Sequence, residues 1–178
     1  MGERYVVDTN VLIAASAADP SHPSSLDATP HDPALRLQVW RWLKRFRESP
    51  ARLVLDQQGE ILSEYRHMLG FNDYGVQVVI HKLSTCAVDV VPVTYDRHND
   101  AILPAALAAV VHDRADRKMV AACLAAMRLH GRCLIAFAGD TDWHSWEETL
   151  SQHGVELEAV IESWSRRRHA EKEARAMP

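Results

Sequence analysis

Apolar residues along the chain fall into short unbroken runs and into longer stretches where they recur every three or four positions. The runs read as buried strands and the recurrences as helices packed by one face. Tyr5-Val6-Val7 is the first run, ending on Asp8, with Thr9 and Asn10 of the helix-capping type before Val11-Leu12-Ile13-Ala14-Ala15. Asp19 to Asp32, rich in Pro, Ser, His and Asp, predicts an exposed loop. From Pro33 a helix carries Leu35, Val39, Trp42, Leu43 and Phe46, stops at Ser49-Pro50, and turns Arg36, Arg41, Lys44, Arg45 and Arg47 to solvent. Arg52 to Leu55 is a second strand ending on Asp56, and Ile61, Leu62, Tyr65, Met68 and Leu69 mark a helix closed by Gly70. A further helix is expected from Asp73 to about Ser84, with Val76, Val79, Ile80 and Leu83 inward. Val88 to Val93 predicts a third strand, near a sheet edge because of Pro92. Polar Tyr95 to Asp100 and an alanine-rich piece from Pro104 to Val111 precede a long helix with Met119, Val120, Cys123, Leu124 and Met127. Cys133 to Ala138 is a fourth strand, a helix begins near Trp143, and Val155-Glu156-Leu157 is a short fifth strand.

Strands alternating with helices imply a mostly parallel sheet with helices on both faces and right-handed crossovers. The 178 residues suit one domain spanning 1–178, with a polar loop at about 19–32 and a charged helical tail from about 159. In that tail Trp164 precedes Arg166-Arg167-Arg168, a pattern expected of a charged, partly frayed surface helix. A formal net charge of -4 means that any contact with nucleic acid must be local or assisted by a metal. Cys86, Cys123 and Cys133 have no metal-site spacing and cannot all pair, which points to a reducing cytoplasm. No signal peptide and no apolar run of membrane-spanning length is read, so no membrane partner is expected.

Asp8 alone admits two roles, a helix cap or a site acid at the carboxyl end of a strand. The other strand ends bear on that choice. Glu64 lies in the helix after the second strand, Asp113 and Asp116 open the helix after the third, and Asp140 and Asp142 follow the fourth. Carboxylates gathered on one rim raise one another's pKa unless a cation sits among them, and oxygen-only donors suit Mg²⁺ or Mn²⁺. Such an ion can activate water and offset charge on a phosphodiester. A Gly-rich phosphate loop, a G-x-S-x-G elbow and an H-E-x-x-H pair are all missing, which removes the commonest nucleotidase and hydrolase readings.

Val7-Asp8-Thr9-Asn10-Val11-Leu12, Ile61-Leu62-Ser63-Glu64-Tyr65, Asp113 to Asp116 leading Met119-Val120-Ala121-Ala122, and Ile135 to Trp143 occur in the order in which the PIN domain family carries its motifs. The chain resembles that family over nearly its whole length. The resemblance implies a three-layer α/β/α fold with about five strands, and a metal-dependent endoribonuclease of the VapC toxin type. On that basis Asp8, Glu64, Asp116 and Asp140 would be the catalytic acids that hold Mg²⁺ or Mn²⁺, with Asp142 as a fifth acid. Thr9 and Asn10 would support Asp8 or the substrate, Asp113 would contribute beside Asp116, and Arg117 would border the substrate. RNA, an antitoxin protein and a second copy of the chain are the partners the resemblance implies. Two departures stand out: Ala138 occupies a position where the family often has a hydroxyl, which Thr141 could replace, and the chain is longer than compact toxin members. A structure-specific DNA nuclease using the same acids and a binding module without turnover are the alternative readings.

Overall fold

The computed structural model describes residues 1–21 and 26–176. Its elements in chain order are β1 (Arg4–Val7), α1 (Thr9–Ser16), α2 (Pro33–Glu48), β2 (Arg52–Asp56), α3 (Glu60–Met68), α4 (Tyr74–Ser84) and β3 (Val88–Val91). They continue with α5 (Ala105–Ala108), α6 (Arg114–His130), β4 (Leu134–Phe137), α7 (Asp142–Gln152), β5 (Glu156–Ala159) and α8 (Glu162–Ala176). The five strands form one parallel sheet in the order β3-β2-β1-β4-β5. The chain first moves outward from β1 to β2 and β3, then returns past β1 to β4 and β5. Because parallel crossovers are right-handed, reversing direction puts α1 to α4 on one face and α5 to α7 on the other. The result is the expected α/β architecture of three layers.

The reversal creates a switch point between β1 and β4, whose carboxyl ends lie side by side without a connection crossing them. Val7 pairs with Ala136, and the Asp8 amide donates to the Ala136 carbonyl at 2.9 Å. Asp8 and the β4–α7 turn are thereby held at one level. β1 and β4 are central and buried on both faces, consistent with their unbroken apolar runs.

Local chemistry explains the neighbouring elements. Asp56, 3% exposed, accepts from the Glu60 and Ile61 amides at 3.0 and 2.9 Å and from the Tyr95 hydroxyl at 3.1 Å. It therefore serves as the cap of α3 and ties down the segment after β3. Ser16, fully buried on α1, donates to the Leu12 carbonyl and accepts from the Gly75 amide at 2.9 Å. A β-carbon at Gly75 would lie 2.7 Å from Leu12 Cβ, so the close crossing of α1 and α4 needs glycine there.

Four expectations need correction. On α4 the inward face includes Val78 and Lys82, whereas Leu83 is 42% exposed. Lys82 is accepted in the interior because its ammonium donates to the Ser49 and Ala51 carbonyls at 2.9 and 2.7 Å over the Phe46 ring. The 19–32 segment is not simply exposed: residues 22–25 lie outside the described residues, but Ala28 and Pro30 are buried. Arg36 leaves the solvated face of α2 to donate to the Ala28 and Pro30 carbonyls, fastening that segment to the helix. The tail is docked rather than frayed over its first turns, since Ser165 is fully buried and its hydroxyl meets His144 Nε2 at 2.9 Å.

Candidate active site

Asp8, Thr9, Asn10, Glu64, Asp113, Asp116 and Asp140 line one cleft of about 260 Å³ at the switch point, with Ile13, Met68 and Ala115 as its apolar wall. Each acid is delivered by a different part of the fold. Asp8 follows β1, α3 carries Glu64 on its second turn, Asp113 caps α6 and Asp116 lies in its first turn, and the turn after β4 presents Asp140. The amino termini of α1 and α6 face this rim, so their unpaired amides favour the negative charge beside them.

Asp8 caps α1 and also lines the cleft. Its Oδ1 accepts from the Asn10 amide at 2.9 Å and so caps α1; Thr9 is the first helical residue and takes no part in capping. Its Oδ2 accepts from Trp143 Nε1 at 3.0 Å, and the indole is fully buried against Phe137. Both oxygens of a carboxyl that is only 4% exposed are thus fixed in orientation. Burial pushes its pKa up to about 7; the Asn10 amide opposes the rise and the Asp140 charge adds to it.

Thr9 instead donates its hydroxyl to Glu64 Oε1, while Lys118 on α6 pairs with Glu64 Oε2 at 2.7 Å. Glu64 is held from two sides, and Lys118 is the one cation paired with an acid of this cleft among the described residues. The position of Lys118 two residues after Asp116 was visible in the sequence; its choice of Glu64 required the approach of α3 to α6.

Asp116 is 8% exposed and its carboxyl accepts no hydrogen bond from any described residue. Burial, followed by the charges of Asp8 and Asp140, pushes its pKa up to about 9. Burial likewise raises that of Asp140, against the opposing Asp142 amide, which donates to Asp140 Oδ1 at 2.8 Å. Asp113 lies at the exposed rim, where it caps α6 by accepting from the Ala115 amide at 2.7 Å.

Two expected site residues lie elsewhere. Asp142 does not line the cleft: it pairs with Lys172 of α8, because the first turn of α7 points its side chain toward that helix. Arg117 turns away to donate to the Val111 and Ala108 carbonyls at 2.8 and 3.1 Å, where it braces the approach to α6. His112 and His144 also lie outside the cleft. Trp143, by contrast, was passed over in the sequence, where nothing distinguishes an indole that packs from one that also orients a carboxylate.

In charge and donor type the cleft suits a hard divalent cation: every ionisable group lining it is a carboxyl, and two are forced toward their neutral forms. Among the described residues no group of three or more His, Cys, Asp or Glu side chains stands ready-made as a metal site. The carboxylates share a cleft without yet sharing a point. No family model, no curated protein and no solved structure matches the chain. No helix among the described residues is long and apolar enough to cross a membrane.

Proposed function

We propose that the protein is a metal-dependent endoribonuclease that hydrolyses RNA phosphodiester bonds in the acidic cleft. The observation that carries this reading is the meeting of Asp8, Glu64, Asp116 and Asp140 around one cleft at the switch point, with the carboxyls of Asp8 and Asp116 held at about 7 and about 9. Keeping several carboxyls together at such cost is unusual unless a cation relieves it. Asp8, Asp116, Asp140 and Glu64 would hold Mg²⁺ or Mn²⁺. When bound, such an ion supplies Lewis-acid polarisation of water and of the phosphodiester.

The chain's own residues divide the remaining work. Trp143 and the Asn10 amide hold Asp8 in a single orientation, and Thr9 and Lys118 do the same for Glu64. Asp116, with no donor committed to it, has both oxygens free for an ion or a proton. Ile13 and Met68 narrow the cleft with apolar surface, which strengthens every charge interaction inside it. Arg117, committed to the Val111 and Ala108 carbonyls, lies outside the cleft lining. A toxin role, with the cleft silenced by a small antitoxin protein and the chain acting as a cytoplasmic homodimer, belongs to the same proposal.

The test is cleavage of a labelled single-stranded RNA with Mg²⁺ or Mn²⁺, with EDTA as control. Asp8→Asn and Asp116→Asn each lower the rate at least ~10²-fold, the scale of losing one electrostatic stabiliser. Cleavage unchanged by EDTA and by both substitutions refutes the proposal. Preference for a flapped DNA over RNA moves the substrate to DNA. Growth arrest on expression, relieved by the product of an adjacent small gene, tests the toxin role.

A further inference from the structure

Beside the acidic cleft lies a second cavity of about 270 Å³, bounded by Thr29, Thr141, Trp164, Arg168, Lys172 and Arg175. Gly139 and Thr141 line it while Asp140 between them lines the cleft, so the β4–α7 turn contributes to both. The close fit of that turn against the loop at Thr29 needs glycine, since a β-carbon at residue 139 would collide with the Thr29 carbonyl.

Its chemistry is opposite to that of the cleft. α8 contributes three cations and one acid, Glu171. Arg168 pairs with Glu171 at 2.7 Å, but both side chains are more than 40% exposed, and such pairs exchange readily for a better partner. Arg175 has no ion-pair partner among the described residues. Lys172 pairs with Asp142, another exposed pair of the same exchangeable kind. Trp164 is half-buried, and its indole N–H meets no acceptor among the described residues. Trp164 packs one part of its indole against the core and leaves the rest at the cavity; an aromatic side chain with guanidinium groups and two threonine residues is the chemistry that binds single-stranded nucleic acid by base stacking and phosphate contact. An acidic cleft repels the polyanion it is proposed to cut, so purchase on the strand has to come from a neighbouring basic surface.

We infer that the α8 cavity formed by Trp164, Arg168 and Arg175 is a subsite that holds single-stranded RNA next to the acidic cleft. This rests on the ribonuclease reading for its substrate, though not for its measurement. Binding is read in EDTA by fluorescence anisotropy of a labelled single-stranded RNA, with wild type, Arg168→Glu/Arg175→Glu and Arg41→Glu/Arg45→Glu. The last pair lies on the exposed face of α2 and changes net charge equally. The α8 variant weakens binding at least ~10-fold and flattens the slope of log affinity against log salt by about 1.4, two phosphate contacts at about 0.7 each. The α2 variant stays near wild type.

Equal weakening by both variants, or by neither, overturns the inference, as does tighter binding of DNA of the same sequence. RNA binding lost on α8 in a protein that never cleaves RNA with Mn²⁺ refutes the ribonuclease reading and leaves this subsite standing. Cleavage with KM unchanged by Arg168→Glu/Arg175→Glu does the reverse.

Discussion

Asp116→Asn tests the electrostatics of the cleft without any assumption about substrate. The substitution keeps the shape of a side chain that is 8% exposed and, because no described donor bonds to its carboxyl, breaks no hydrogen bond. What it removes is ionisation. With a folded-state pKa of about 9 against an ordinary 3.8, the wild-type carboxyl stays protonated in the folded protein while the unfolded chain releases its proton above about pH 4. Between those values the unfolded state binds fewer protons, so this group makes the wild type less stable as pH rises, by up to about 1.4 kcal/mol per pH unit. Asn cannot ionise and carries no such slope. In EDTA, then, Asp116→Asn is more stable than wild type at pH 8, and its advantage there exceeds that at pH 5 by up to about 4 kcal/mol. Protons shared with Asp8 and Asp140 reduce the realised figure, and about 2 kcal/mol is a working minimum. For a chain of this length about 2 kcal/mol corresponds to a rise in Tm of roughly 4–8 °C. Thermal unfolding by circular dichroism at the two pH values reads it directly. A variant that is less stable than wild type at pH 8, or whose difference from wild type does not change with pH, would falsify the reasoning.

Mn²⁺ raises the Tm of the wild type, and raises it more at pH 8 than at pH 5.5, because the ion competes with protons for Asp8 and Asp116; a pH-independent shift removes the cleft as the binding place. Trp143→Phe withdraws the donor from Asp8 Oδ2 and leaves a gap in the core, with a loss of about 2–4 kcal/mol by urea titration at pH 8. The loss is smaller at pH 5.5, where Asp8 is already protonated. Glu158→Gln leaves one carbonyl oxygen where two carboxylate oxygens receive the Tyr5 hydroxyl and Trp42 Nε1, and costs about 1–2 kcal/mol in the same titration. Gly75→Ala forces α4 off α1 and is destabilising by about 2 kcal/mol or more; a neutral result contradicts the close crossing.

Patterning alone was enough for the strands and most helix boundaries. Unbroken runs such as Tyr5-Val6-Val7 and Leu134-Ile135-Ala136-Phe137 can be satisfied only in a strand covered on both faces. The spacing of apolar residues on α2 and α6 leaves one face for the core. The acids Asp8, Glu64, Asp116 and Asp140 could be picked out for a related reason: each follows a strand in a fold whose strand ends share a rim. Periodicity of that kind is written locally, in residues within a few positions of each other.

What the tertiary structure decided is which of several local options each side chain takes. Asp56 follows a strand as closely as Asp8 does, yet its two oxygens are consumed by the first amides of α3 and by Tyr95, so it is a cap. Asp142 is two residues from Asp140, but the start of α7 turns it to Lys172 and out of the cleft. Arg117 and Lys118 are adjacent in sequence; a 100° step around α6 sends one to the Val111 carbonyl and the other to Glu64. The same applies to the basic tail, an unremarkable charge run until its docking set Trp164, Arg168 and Arg175 around one cavity with Gly139 and Thr141 of the β4–α7 turn. Many of these partners, such as Lys118 for Glu64 and Lys172 for Asp142, are chosen between segments far apart in the chain, once helices have docked, and no local pattern encodes that choice.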